Sequence, residues 1–145
     1  MSKYYIAYGS NLNVRQMAKR CPSAKIVGSG MIQNWKLKFH TISGPAYATI
    51  IKSKGDSVPV LIWEIDTASE RALDRYEGYP RFYVKKIINI KMDSGLVLKG
   101  MAYIMNNKSK PGTPTLDYLR TIYEGYYVNK LDIQYFDEAI EPFIE

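Results

Sequence analysis

This sequence is poor in the residues that hold metals and cross-link chains. Among its 145 residues there is one cysteine, Cys21, and one histidine, His40. A single thiol cannot close a disulfide within the chain, and a reducing cytoplasm is the compartment expected for it. A zinc site needs several His, Cys or carboxylate ligands converging on one point, so zinc is not expected. His40 falls in a strand pattern, where it reads as a surface or packing residue rather than a base. Cys21 stands beside Pro22 at an expected helix end, with no histidine near it in sequence, which favours a structural thiol over a nucleophile. No apolar run approaches the ~18 residues of a membrane span. No basic segment followed by a long apolar stretch opens the chain, so no export signal is expected. The phosphate-binding signatures GxxxxGKS/T and GxGxxG are missing, as is the GxSxG elbow of serine hydrolases.

What is present is an ordinary globular composition. Hydrophobic residues make up 46% and charged residues 23%, which suits a packed core rather than disorder. A chain of this length reads as one domain, residues 1–145. The net charge is +6, but the lysines do not cluster. Lys36, Lys38, Lys85, Lys86, Lys91 and Lys99 are spread through alternating strand patterns, where outward lysines keep a face soluble. With no Arg-rich run, no nucleic-acid partner is expected. The positive field suits an anionic metabolite.

The hydrophobic periodicity predicts strands over residues 3–8, 31–42, 46–52, 58–65, 82–92 and 96–105. Gly55-Asp56 is expected to join the third and fourth of these, and Asp93-Ser94-Gly95 marks a hairpin between the last two. Helices are predicted over residues 13–20, 67–77, 115–123 and 133–140. Thr67 and Glu70 have the spacing of a capping box, and Gly78 suits a C-terminal cap. Residues 106–114 read as a polar loop. Many strands with few helices imply an α+β fold, with a curled sheet or small barrel.

Two stretches carry candidate chemistry. The first is Tyr8-Gly9-Ser10-Asn11-Leu12, between the first strand and the first helix. Gly9 tolerates backbone angles that other residues avoid, and Ser10 or Asn11 can cap the helix. The leading N–H groups of a helix lack partners and carry partial positive charge, so this turn is either a plain junction or a cradle for a carboxylate or oxyanion. The second is Leu73-Asp74-Arg75-Tyr76-Glu77-Gly78-Tyr79-Pro80. Glu77 ends a helix, where the dipole disfavours a carboxylate, and Tyr76 and Tyr79 stand ready to desolvate it. Both effects raise a carboxyl pKa toward the range of a general base. The alternative is a solvent-exposed glutamate before a glycine cap, and spacing alone does not choose.

Together the two stretches resemble the γ-glutamylcyclotransferase (AIG2-like) family, and the resemblance runs nearly the whole chain. Cys21-Pro22-Ser23-Ala24 followed by Gln33-Asn34-Trp35-Lys36-Leu37-Lys38-Phe39 is similar to the family's second segment. Ala48-Thr49-Ile50 with Gly55-Asp56 is similar to its next hairpin, and Leu73 to Gly78 to its catalytic helix. Tyr83, Tyr103 and Tyr118 fall where family members place pocket tyrosines.

The resemblance implies a small mixed β-barrel with peripheral α-helices, cyclising a γ-glutamyl compound to 5-oxoproline with release of an amino acid or amine. It implies Glu77 as the general acid/base. Tyr8, Gly9, Ser10, Asn11, Leu12, Tyr83, Tyr103 and Tyr118 would hold the substrate, with the amides of residues 9–12 taking its carboxylate and oxyanion. No cofactor is implied, the partner is a small molecule, and a homodimer is admitted. Asn11 resembles the branch acting on γ-glutamyl amino acids. Arg81 either meets a substrate carboxylate or decorates the surface, and the 106–114 loop is expected near the leaving group. The same fold also hosts non-catalytic binding and stress-response modules, from which the presence of Glu77 would separate an enzyme.

Overall fold

The computed structural model describes residues 2–144. Six strands are found among them: β1 (Lys3–Ala7), β2 (Lys25–Thr41), β3 (Tyr47–Ile65), β4 (Tyr83–Met92), β5 (Val97–Met105) and the short β6 (Lys110–Pro111). Four α-helices accompany them: α1 (Val14–Arg20), α2 (Thr67–Glu77), α3 (Leu116–Val128) and α4 (Ile133–Ile140). The sheet runs β3-β1-β5-β4-β2, and β2 pairs again with β3, which closes a five-stranded barrel. The β1–β5 pair is parallel and the other barrel pairs are antiparallel, so the barrel is mixed. This is the α+β barrel that the resemblance implies. Closure leaves no bare barrel edge for another chain to pair with.

Alternation along the strands fills the interior. Ile6, Ile32, Ile62 and Ile90 are fully buried there, and Leu12, Leu73, Ile122 and Tyr126 seal the helices onto the same core. No described helix is long and apolar enough to cross a membrane.

The largest departure from the sequence pattern lies in β2 and β3. The expected strands 46–52 and 58–65 form one strand, β3, whose two halves pair with the same partner. Gln33 pairs with Ser57 and Trp35 with Lys52, so residues 53–56 bulge out opposite Asn34 alone. The Gly55 amide donates to Asn34 Oδ1 at 3.1 Å. Gly55-Asp56 therefore builds a turn-like excursion and not a hairpin between separate strands. On its side, β2 begins at Lys25, earlier than the expected residue 31. Its glycine-containing start lacks alternation, but long-range pairing with β3 holds it extended. In the polar 106–114 loop, β6 pairs with His40 and Thr41.

Helix α2 carries Glu77, so its ends matter. Its N-cap is Asp66, not Thr67: Asp66 Oδ1 accepts from the Ser69 amide at 2.8 Å, and Ser23 Oγ donates to Asp66 Oδ2 at 2.8 Å. A carboxylate one residue earlier is the stronger acceptor. Glu70 is thereby released from the expected capping box and pairs with Lys3 at 2.8 Å and Lys85 at 2.7 Å. At the other end Gly78 adopts the left-handed conformation (φ 64°, ψ 40°), as its sequence position implies. A Cβ there would lie 2.5 Å from the Phe82 ring.

Candidate active site

Strand β1 delivers the chain to Tyr8 and Gly9, after which Ser10–Leu12 forms a single 3₁₀ turn. The cap of α1 is Asn13, whose Oδ1 accepts from the Gln16 amide at 3.1 Å, so neither Ser10 nor Asn11 performs the capping expected of them. Their backbone carbonyls are all engaged. Gly9 O accepts from the Leu12 amide and Ser10 O from the Asn13 amide, each at 3.0 Å. Asn11 O accepts from Trp63 Nε1 at 3.1 Å, and Leu12 O from Asn129 Nδ2 at 2.7 Å. The amides of Gly9, Ser10 and Asn11 meet no acceptor among the described residues. The turn thus presents a surplus of donors, the arrangement that binds anions.

Leu12 does not join them. It is fully buried, its amide is used by Gly9, and it packs where a Cβ on Gly125 would lie only 2.6 Å away. Its contribution is to seat the turn against α3.

Facing the turn is Glu77, the last residue of α2. Its carboxylate has no hydrogen-bond or ion partner among the described residues. It keeps some contact with solvent through the pocket mouth, but protein surrounds it closely. Burial pushes its pKa up from an ordinary 4.5 to about 7, with the Arg20 guanidinium pulling the other way. Of the two tyrosines expected to desolvate it, Tyr76 lines the adjoining space with Glu77, whereas Tyr79 faces neither space. Tyr79 stacks edge-on against Tyr103 and lies under Lys85 Nζ, 4.3 Å from the ring centroid. Tyr76 lies 3.6 Å beneath the Arg20 guanidinium, and its hydroxyl is 3.1 Å from Ser10 Oγ. Arg20 in turn donates to Asn11 Oδ1 at 2.5 Å, and Asn11 Nδ2 donates to the Tyr5 hydroxyl at 2.9 Å.

Glu77, Gly9, Ser10 and Asn11 line one inner chamber with the rings of Tyr5, Tyr8, Tyr83, Tyr103 and Tyr118. Its free volume is only about 30 Å³, room for one small group. Burial pushes the Tyr5, Tyr8, Tyr83, Tyr103 and Tyr118 phenols far above their usual value, so they stay neutral across the working pH range. Ala48 spans two of them: Tyr83 donates to its carbonyl at 2.8 Å, and its amide donates to the Tyr118 oxygen at 2.9 Å. Tyr8 donates to the Tyr103 carbonyl. Tyr103 donates to Asp74 Oδ1 at 2.6 Å, and Lys85 reaches Asp74 at 2.9 Å. These last contacts moor α2 to the barrel.

The chamber opens through Ser10, Glu77, Tyr83 and Tyr118 into a larger vestibule of about 460 Å³. Arg81 does not reach either space; its carbonyl accepts from Asn106 Nδ2 at 2.7 Å and its side chain is exposed. No residue of the 106–114 loop lines the vestibule, because β6 pins that loop to β2. His40 Nδ1 pairs with Ser109 Oγ at 3.0 Å, and Cys21 Sγ donates to the Ser69 carbonyl at 3.5 Å, so both are occupied in packing away from the site.

Residues 5–129 match the family model described as gamma-glutamyl cyclotransferase, AIG2-like. The chain belongs to this family. It is 32% identical to the gamma-glutamylcyclotransferase of Homo sapiens over 149 aligned positions, 95% of this chain and 78% of that one. The Mus musculus gamma-glutamylcyclotransferase matches at the same identity and coverage. A solved structure described as gamma-glutamyl cyclotransferase superposes with a TM-score of 0.87 at 27% identity, covering 96% of this chain and 86% of the other. Sequence reasoning missed Tyr5, Arg20 and Ala48. Tyr5 had a usable signal, since alternation along β1 places it on one side of the sheet. Arg20 and Ala48 had none beyond the family resemblance of their segments.

Proposed function

We propose that the protein cyclises γ-glutamyl amino acids to 5-oxoproline, releasing the free amino acid, with Glu77 as the general acid/base. One observation carries this reading: a carboxylate with a pKa of about 7 shares a chamber with three backbone amides, and neither it nor they have a partner among the described residues. The chemistry needs those two parts. Glu77 takes a proton from the substrate's α-ammonium group. The freed amine attacks the γ-carbonyl of the same molecule, forming the ring N–C bond. The amides of Gly9, Ser10 and Asn11 hold the α-carboxylate and the oxyanion. As the old amide C–N bond breaks, Glu77 returns that proton to the departing nitrogen, then takes the second proton from the new ring nitrogen and passes it to the released amine, which leaves as an ammonium. Atoms balance without water or cofactor, because nucleophile and electrophile belong to one substrate. The pocket has only to fold that substrate into a reactive shape, which accounts for a cramped inner chamber.

Among the neutral tyrosines, Tyr5 and Tyr118 accept from Asn11 Nδ2 and the Ala48 amide and keep their own protons, so they add donors without adding charge beside Glu77. Every group used comes from one chain, so a homodimer is not needed for the reaction. The substrate is a soluble metabolite, in keeping with a cytoplasmic enzyme. The test is incubation with γ-glutamyl amino acids, γ-glutamylamines and glutathione, followed by measurement of 5-oxoproline. Glu77→Gln keeps the shape and removes the base; it should abolish turnover while the fold survives. Normal turnover by that variant would overturn the mechanism.

A further inference from the structure

The vestibule outside the inner chamber carries its own chemistry. Resting on the cyclisation reading above, we infer that it is built for a leaving group with a free carboxylate and an apolar side chain, and that Arg75 is the residue that grips the carboxylate. The departing half of the substrate must extend from Glu77, which delivers its proton, so it lies where the chamber opens out. That space is about 460 Å³, ample for one amino acid.

Its walls are largely apolar. Ile42, Pro45, Tyr47, Phe82 and Met105 line it. Ile42, Tyr47 and Phe82 are each exposed by at least 40%, large apolar groups left open to water around one mouth. Glu77 is the only acid among the lining residues and Arg75 the only base. Arg75 makes no salt bridge or side-chain hydrogen bond to any described residue. Arg15, by contrast, is fully committed to Glu124. A helix turns about 100° per residue, so Arg75 and Glu77 leave α2 in different directions. Glu77 stands at the junction and lines both spaces, whereas Arg75 lines only the outer one. A guanidinium is suited to planar, two-pronged recognition of a carboxylate. A free cation on a largely apolar wall selects an amino acid over a simple amine.

A matched pair of substrates isolates the carboxylate. γ-Glutamyl-isoamylamine is γ-glutamyl-leucine without it, and both yield 5-oxoproline by the same bond changes. The wild type should favour γ-glutamyl-leucine by about tenfold in kcat/KM, the size of one charged hydrogen-bonding contact. Arg75→Gln should collapse that ratio toward one, through KM rather than kcat, and Arg75→Lys should restore part of it. γ-Glutamyl-leucine should also exceed γ-glutamyl-glycine, by a margin that Phe82→Ala reduces. A ratio unchanged in Arg75→Gln overturns the role of Arg75. Equal turnover of leucine and glycine compounds overturns the apolar site. Failure of every γ-glutamyl compound to give 5-oxoproline would instead remove the cyclisation reading, and this inference with it.

Discussion

The Tyr118 oxygen accepts a hydrogen bond from the Ala48 amide at 2.9 Å. A phenol that accepts from its backbone neighbour keeps its own proton for another acceptor. Tyr83 is the opposite case, because it donates to the Ala48 carbonyl and has spent its proton. Both rings line the inner chamber, and burial keeps both neutral. Tyr118 is therefore equipped to donate to the substrate or to Glu77, as is Tyr5, whose oxygen accepts from Asn11 Nδ2. Tyr118→Phe should lower kcat by about 10²-fold, the cost of removing one oxyanion donor. It should also cost about 1–3 kcal/mol of stability, since the buried Ala48 amide loses its acceptor. Tyr83→Phe should leave kcat closer to the wild type. Steady-state kinetics and thermal unfolding of the two variants test the contrast.

The pKa of Glu77 predicts two pH profiles of opposite direction. As a base it works deprotonated, so kcat/KM should rise with pH and level off above about pH 7. Stability should move the other way. The folded state holds this proton up to about pH 7, whereas the unfolded chain releases it near 4.5. The stabilisation is complete below pH 4.5 and is lost as pH rises toward 7. Glu77→Gln lacks this loss. It should be more stable than the wild type at pH 8, on the order of 2 kcal/mol once residual solvent contact is allowed for, and the gap should vanish near pH 4. Denaturant midpoints at the two pH values decide it.

The residues legible in the sequence are those whose chemistry is local. Tyr8-Gly9-Ser10-Asn11 forms a contiguous turn after an obvious strand, and Glu77 sits at a helix end marked by Gly78. Both halves of the site could be named from spacing and family resemblance. What holds them was not legible. Asn129 reaches Leu12 across 117 positions and Trp63 reaches Asn11 across 52, and no local pattern records either contact. Tyr118 lines the chamber and is partly buried against the core, while Tyr123, about one and a half turns further along α3, is half exposed; composition treats them alike. The β3 excursion misled for a related reason. Gly55-Asp56 has the chemistry of a turn, and only the pairing of both flanks with β2 makes it an interruption of one strand. Spacing left Arg81 open between a substrate carboxylate and the surface; the turn after α2 carries it outward, and Arg75 lines the vestibule instead.

Gly9 is pressed against the opposite wall. A Cβ there would lie 3.0 Å from Ala48 Cβ and 3.5 Å from the Tyr118 hydroxyl. Gly9→Ala should therefore crowd the chamber, reduce kcat/KM strongly and cost about 1–3 kcal/mol of stability. Ala48→Gly removes the atom it strikes. The double variant should recover part of both losses, with a coupling of at least about 0.5 kcal/mol in a thermodynamic cycle. Additive losses would mean that the two walls do not meet.

The donor surplus of the 3₁₀ turn depends on its carbonyls being held from behind, and Asn129 tests that dependence from a distance. Its Nδ2 donates to Leu12 O at 2.7 Å and to Gly125 O at 2.8 Å. Asn129→Ala removes both bonds and should cost about 1–2 kcal/mol. Asn129→Asp keeps the shape but sets a carboxylate against two carbonyl oxygens. Repulsion should then exceed mere loss, making the isosteric variant the worse of the two. Neither change touches the pocket, so both should act on kcat through the orientation of the Gly9–Asn11 amides. The deficit should track the stability loss across the pair. If Asn129→Asp folds and turns over as well as Asn129→Ala, the amide is not gripping those carbonyls, and the turn must be held by Trp63 and Gly125 alone.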